Sequence, residues 1–266
     1  LQLEIGARTD TGRVRGNNED SFGSEPKLSL FVVSDGMGGA EHGEVASAMA
    51  VAAIVNHCRN ARGDDGLPAE GESRPDLSPA TNRLVSAIRQ AHREIFERSA
   101  SDPSLKGMGA TVVAALVNGE KLSVAHVGDS RVYRLRGETF EQLTRDHSLV
   151  AEQVRLGLLT DEQAADSHLQ TILTRALGHS ENVEVDADEH PIEEGDTFLL
   201  CSDGLSRMVP DAAIARAIQQ APNAQAAADA LIDLANEAGG EDNITAIVFR
   251  AKKNNQPQGW FRRMWS

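Results

Sequence analysis

Cysteine, aromatic residues, positive charge and long apolar runs are all scarce in this chain, and their scarcity narrows what it can be. Two cysteines, Cys58 in an apolar helical stretch and Cys201 in an apolar strand-like run, are too few for a disulfide framework or a thiolate metal cage. The expectation is a reducing, cytoplasmic setting. Aromatics amount to 4%, yet 40% apolar and 25% charged residues are ordinary for a globular protein and exclude a fibre or a disordered chain. Lys and Arg number 26 against 40 Asp and Glu, a net charge of −14, so no general positive field favours nucleic acid. No apolar run approaches the roughly 18 residues of a membrane span. The start, LQLEIGARTD, lacks the basic and apolar regions of a signal peptide. Because it opens on Leu1, the chain is expected to be processed or cut from something longer. No internal repeat is visible.

What is present comes in blocks. Residues 1–7 alternate apolar and polar and residues 28–34 form a nearly continuous apolar run, so both read as strands, the second more deeply buried. After a GMGG loop, residues 44–61 and 80–99 are Ala-rich with apolar residues at helical spacing and read as helices. Between them GDDGLPAEGESRPDLSP reads as a solvated loop with little reason to order. In the middle, ATVVAALV, KLSVAHV and RVYRLR, separated by Asn118-Gly119 and Gly128-Asp129, predict an antiparallel meander. Residues 146–182 are irregular, with a short helix at 149–156, and suggest a mobile excursion. Strands at 183–188 and 197–202, helices at 210–220 and 224–238, and a last strand at 244–250 complete the pattern. Blocks of this kind favour α+β, with helices on the outer faces of antiparallel sheets, over a doubly wound parallel sheet. The ending, KKNNQPQGWFRRMWS, is expected to be a flexible tail; its alternative is a short docking or membrane-surface peptide.

The informative feature is a set of acids placed where strands end. Glu19 and Asp20 follow VRGNN, Asp35 ends LFVVSDG, Asp203 ends TFLLCSDG, Asp129 lies in a Gly-Asp-Ser turn, and Asp242 precedes the final strand. Each alone is more readily a turn residue. Together, acids at the tips of buried strands repel one another and lose hydration, costs that a divalent cation offsets. Oxygen ligands without a nearby Cys or His cluster point to magnesium or manganese, and no loop has the ligand spacing of an EF-hand. The glycines of DGMGG allow close backbone approach, so that a carbonyl can face the ion. The loop lacks the Gly-Lys-Ser/Thr ending of a P-loop and the spacing of a dinucleotide fingerprint. Asp35 is followed by Gly36 and Met37, so an Asp-x-Asp nucleophile is not in place. Arg15 offers a fork suited to phosphate oxygens, the alternative being a surface arginine.

These residues resemble the PPM family, the protein phosphatase 2C-type serine/threonine phosphatases, in its bacterial branch. The resemblance rests on TDTGRVRGNNED, VVSDGMGG, GATVVAAL, AHVGDSRVYRLR, LTRDHS, LLCSDGL and EDNITAIV in that order; any one of them alone would be weak. It implies a four-layer α-β-β-α sandwich with two central antiparallel sheets, a catalytic domain over residues 1–251, and a tail over 252–266. It implies that Asp35 bridges two manganese or magnesium ions, that Asp203 and Asp242 complete the first site, and that Glu19 and the Gly36 carbonyl serve the second. Asp129 is implied as ligand of a third, weaker ion, with Asp203 shared. Asp20 is implied to orient metal-bound water, and Arg15 to hold the substrate phosphate. Two cations about 4 Å apart supply a bridging hydroxide that attacks phosphorus without a covalent enzyme intermediate.

Where eukaryotic relatives have a proposed proton-donating His, this chain has Met37, which cannot donate. Metal-bound water is the first candidate, with His42 and His147 as weaker ones. Residues 146–182 correspond to the family's variable flap. Phosphoproteins, a serine/threonine kinase among them, are the expected partners of a monomer. The rival readings are a phosphatase-like binding domain, against which every expected acid is present, and a two-metal nuclease, against which there is no basic stripe.

Overall fold

Residues 30–33 are apolar at every position because the strand that carries them is covered on both faces. The computed structural model describes residues 1–38, 42–60, 71–165 and 167–253. In chain order it places β1 (Gln2–Asp10), β2 (Asp20–Glu25), β3 (Leu30–Met37), α1 (His42–Asn60), α2 (Pro79–Ser101), β4 (Gly109–Ala110), β5 (Val112–Asn118), β6 (Lys121–Val127), β7 (Arg131–Arg136) and β8 (Thr139–Gln142). There follow α3 (Leu149–Arg155), α4 (Asp161–Ala165), β9 (Asp186–Pro191), β10 (Thr197–Cys201), α5 (Asp203–Ser206), α6 (Asp211–Gln220), α7 (Ala224–Glu237) and β11 (Ile244–Lys252).

The strands form two antiparallel sheets, ordered β1-β11-β10-β7-β8 and β2-β3-β5-β6-β9, with the short β4 pairing β3. Alternation along each central strand sends one set of side chains between the sheets and the other under the helices. Phe31 and Val33 of β3 face inward with Phe198 and Leu200 of β10 and Ile247 and Phe249 of β11. Leu30 and Val32 instead meet Ala46, Ala50 and Ile54 of α1 and Leu84 and Ile88 of α2. Leu199, Cys201, Ala246 and Val248 pack under α6 and α7, against Ile214, Ile218 and Leu231. The result is the four-layer α-β-β-α sandwich. Three phenylalanines stack at its centre: Phe31 on Phe249 with ring centroids 4.4 Å apart, and Phe249 on Phe198 at 4.9 Å. Each such pair contributes about 0.5–1.5 kcal/mol beyond its buried area.

Local chemistry sets the element ends. α2 starts at Pro79 behind the cap Ser78, whose hydroxyl accepts the Thr81 N–H, and Asn223 caps α7 through the Ala226 N–H; both satisfy amides that have no partner inside the helix. Among the described residues no helix is long and apolar enough to cross a membrane.

The structure corrects the expected meander. Asn118-Gly119 closes a hairpin between β5 and β6, with Gly119 at φ +66°. Gly128-Asp129 does not close one: it carries the chain from β6 in one sheet to β7 in the other. The loop before α2 is also better tied than its composition suggests. Asn82 accepts the Arg74 N–H at 2.7 Å and donates to the Arg74 and Leu77 carbonyls at 2.9 and 3.0 Å. The first part of that loop, residues 63–70, Gly39 of the glycine loop, and the expected tail from residue 254 onward lie outside the described residues.

Candidate metal centre

Both sheets present the same end to one cleft. Glu19 and Asp20 lead into β2, Asp35 and Gly36 close β3, Asp129 sits in the crossover from β6 to β7, Asp203 follows β10, and Asp242 precedes β11. Glu19, Asp35, Asp129, Asp203 and Asp242 line this cavity of about 470 Å³ together with Arg15, Gly36 and Met37. Asp20 does not line it. It pairs with Asp35 across the β2–β3 ladder and lies behind the wall, 7% exposed. Two expectations of local structure are corrected: Asp35 lies inside β3, two residues before its end, and Asp203 opens α5 behind the cap Ser202.

Asp35 and Glu19 are held by neighbours that the sequence did not single out. The Asp35 N–H donates to Thr111 Oγ1 at 3.1 Å, the Thr111 N–H returns to the Asp35 carbonyl at 2.8 Å, and Thr111 Oγ1 also meets Ser130 Oγ at 2.7 Å. Asn243 joins the two sheets: its Oδ1 accepts the Glu19 N–H at 2.7 Å while its Nδ2 donates to the carbonyls of Thr11 and Asn17. Nothing periodic marks Thr111 or Asn243. Their only sequence signal is a polar residue beside a candidate acid or at the start of an apolar run.

Gly36 is required by close approach. A Cβ there would lie 2.0 Å from the Gly43 carbonyl oxygen and 2.7 Å from that of Glu19. On the opposite side, a Cβ on Gly43 would lie 2.2 Å from Glu19 Oε2, so the carboxylate is seated over the first turn of α1, where the helix dipole favours negative charge.

The electrostatics are those of a site with too much negative charge. Burial pushes Asp35 well above the usual carboxylate range, and repulsion from Asp20, Asp203, Asp129 and Asp242 adds to it. Burial, then Asp203 and Asp146, push Asp129 up to about 8. Asp20 is raised to about 7 by burial, despite hydrogen bonds from Ser202 and Thr245 that work the other way. Two oxygens, Asp20 Oδ1 and Asp203 Oδ1, are buried with no hydrogen-bond partner. Cationic partners are few: Arg15 Nη2 donates to Asp242 Oδ2 at 2.7 Å and Arg207 Nη1 to Asp203 Oδ2 at 3.0 Å. Unpartnered oxygens, an all-oxygen donor set and mutual repulsion fit divalent cations such as manganese or magnesium, and nothing softer.

Neither histidine considered as a proton donor lines the cleft. His147 is 5% exposed; its Nδ1 accepts the Gly128 N–H at 3.1 Å and its ring stacks on His126 at 4.7 Å. His126, His147 and Asp186 bring ligand atoms within 4.8 Å of one another, a cluster the sequence did not reveal. It is not arranged for a metal, because the His147 Nδ1 lone pair is taken by the Gly128 N–H and the Arg175 guanidinium sits on Asp186 at 2.7 Å.

Comparison with known proteins agrees with this architecture. The family described as protein phosphatase 2C matches residues 13–242. The serine/threonine phosphatase stp of Listeria innocua is 40% identical over 244 residues, covering 91% of this chain and 93% of that protein. The crystal structure of the Mycobacterium tuberculosis serine/threonine phosphatase PstP/Ppp superposes with a TM-score of 0.84 at 36% identity, covering 95% of this chain and 100% of that one. The catalytic domain of PstP in complex with two manganese ions gives a TM-score of 0.80 at 37% identity over 94% of this chain and 99% of its own. With the motifs, the two-sheet sandwich and the acidic cleft in agreement, the chain belongs to the protein phosphatase 2C family.

Proposed function

We propose that the chain removes phosphate from phosphoserine and phosphothreonine of other proteins, using two manganese or magnesium ions held by Asp35, Glu19, the Gly36 carbonyl, Asp203 and Asp242. The observation that carries this reading is that carboxylates from both sheets meet in one cleft where burial and mutual repulsion leave them short of positive charge. The manganese-bound structure of a relative that shares the fold supports the choice of ion.

Held by these residues, two such cations would lower the pKa of water and so supply a hydroxide nucleophile for phosphorus, without a covalent enzyme intermediate. The protein's own groups position the rest. Arg15 is half exposed and bonded only at its Nη2 end to Asp242, so its fork can turn to the non-bridging oxygens of a phosphate. Asp20, opposite Asp35 in the ladder, keeps Oδ1 without a partner, as an acceptor that orients solvent requires. The serine or threonine oxygen leaves with a proton that Met37 cannot give and that His42 and His147 are not placed to give; solvent is the donor. The catalytic unit spans residues 1–251.

Incubation with manganese, a phosphothreonine peptide, an aryl phosphate and single-stranded DNA tests the reading. Phosphate release from the peptide that stops on chelation and is absent in Asp35→Asn is the expected result. Release that survives chelation, or cleavage of the DNA instead, would overturn it.

A further inference from the structure

Two cavities meet at the wall of the cleft. Behind Asp129 and Asp203 lies a second space of about 680 Å³, bounded by α3 and the residues around α5. Three residues line both spaces: Asp129, Asp203 and Arg207. Two acids and one arginine therefore form the partition.

Arg207 is placed there by the backbone. Its N–H donates to the Asp203 carbonyl at 2.8 Å, which turns the chain back over Asp203, and its side chain follows so that Nη1 reaches Asp203 Oδ2 at 3.0 Å. The guanidinium is 30% exposed and the Asp203 carboxylate 12%, so water screens this pair less than a surface pair. Burial works against the charge of Arg207, but Asp203, Asp242 and Asp129 more than offset it and hold the group more firmly charged than a free arginine. The fixed charge thus lies in the field of the two carboxylates, Asp129 and Asp203, that a cation at the partition would need.

We infer that Arg207 is a tethered cation that competes with a third metal ion for Asp203, and so sets how weakly this chain holds that ion. The inference rests on the two-cation reading of the cleft and adds a control on the ion beyond the core pair. Physically it is a matter of charge and ligand count. A divalent ion entering between Asp129 and Asp203 meets a guanidinium that already occupies Asp203 Oδ2, and like charges about 5 Å apart, weakly repulsive in bulk water, repel several-fold more in a partly buried site. The same guanidinium relieves the repulsion between Asp129 and Asp203 when no ion is there, so the partition persists without a third cation. A plain helix-end ion pair would do neither.

The test is a manganese titration of the full chain, stripped with chelator, following bound ions by calorimetry and by the electron paramagnetic resonance of free manganese. In Arg207→Ala and Arg207→Gln the third equivalent should tighten about tenfold or more, while the first two equivalents, which share only Asp203 with it, should change far less. Arg207→Lys, which keeps the charge, should stay near the parent, and adding Asp129→Ala to Arg207→Ala should abolish the gain. An unchanged third equivalent in both neutral variants, or a gain that survives Asp129→Ala, would overturn the inference while leaving the two-cation reading intact. If the parent lacks the first two equivalents, that reading fails and the inference falls with it.

Discussion

Asp20 and Asp35 stand opposite each other in the β2–β3 ladder, in register, with Asp20 buried and Asp35 at the wall of the cleft. Like charges directly opposite in a ladder are destabilising, so this pairing carries a standing cost in the cation-free protein.

That cost has a pH signature. Asp20 is raised to about 7, Asp129 to about 8, and Asp35 well above the ordinary range, in each case by burial first. Burial lowers His92, His126, His147 and His190, which opposes this below about pH 6.5. From about pH 6.5 to about pH 8 the three carboxyls hold more protons in the folded chain than in the unfolded one, and stability falls as pH rises through that window. In chelator, the melting temperature should drop between about pH 6.5 and about pH 8. Added manganese should raise it more at the higher pH, because the ligands must be deprotonated to bind. A manganese effect that is equal at both pH values would contradict the linkage.

Asp129 lines the partition between the two cavities, and on the proposed reading it stands outside the core pair. Asp129→Ala should lower turnover on a phosphothreonine peptide by about a hundredfold, yet leave two manganese equivalents bound. Full activity in the variant would remove Asp129 from the mechanism.

Arg15 should act on substrate, not on folding. Arg15→Ala is expected to lower kcat/KM for a phosphopeptide by about tenfold to a hundredfold, through loss of a charge-assisted contact of about 1.5–3 kcal/mol. Arg15→Lys should recover only part of it, since a point charge cannot reproduce a planar fork. Thermal unfolding should move little in either variant, given an exposed partner of Asp242.

Thr111 tests the support beneath Asp35. Thr111→Val keeps the shape but leaves the Asp35 N–H without its acceptor and the Ser130 hydroxyl without its partner. A loss of about 1–3 kcal/mol in urea unfolding is expected, with a fall in activity larger than the same loss elsewhere would cause. Replacing Thr111 by Ser should restore both.

Much of this architecture was legible in the sequence because the sandwich buries both faces of its central strands. The apolar runs at β3, β10 and β11 and the Ala-rich helices are visible signatures of that burial. Edge strands leave no such trace: β2 reads DSFGSE, β8 TFEQ and β9 DADEHP. β2 and β8 were not seen, and β9 begins three residues later than its apolar start suggests, at the position where it pairs β6. The Gly-Asp turn after β6 looks locally like a hairpin; which sheet receives the next strand is decided by packing far away in sequence. Asp35, Asp129 and Asp203 stood out because each sits beside glycine at the end of an apolar run, and Glu19 and Asp242 because each falls in a short polar stretch just before a strand. Thr111, Asn243 and Arg207 did not, because what they do depends on which distant group the fold lays beside them.

The jaws of the cleft belong to different sheets, Glu19 and Asp35 to one and Asp203 and Asp242 to the other. The gap between the jaws is gauged, a few residues along the same strands, by the Phe31, Phe249 and Phe198 rings that hold the sheets apart. Trimming one ring would reset the span that a pair of ions must bridge without altering a single ligand, so drift within the sandwich would surface as altered metal demand before it surfaced as unfolding.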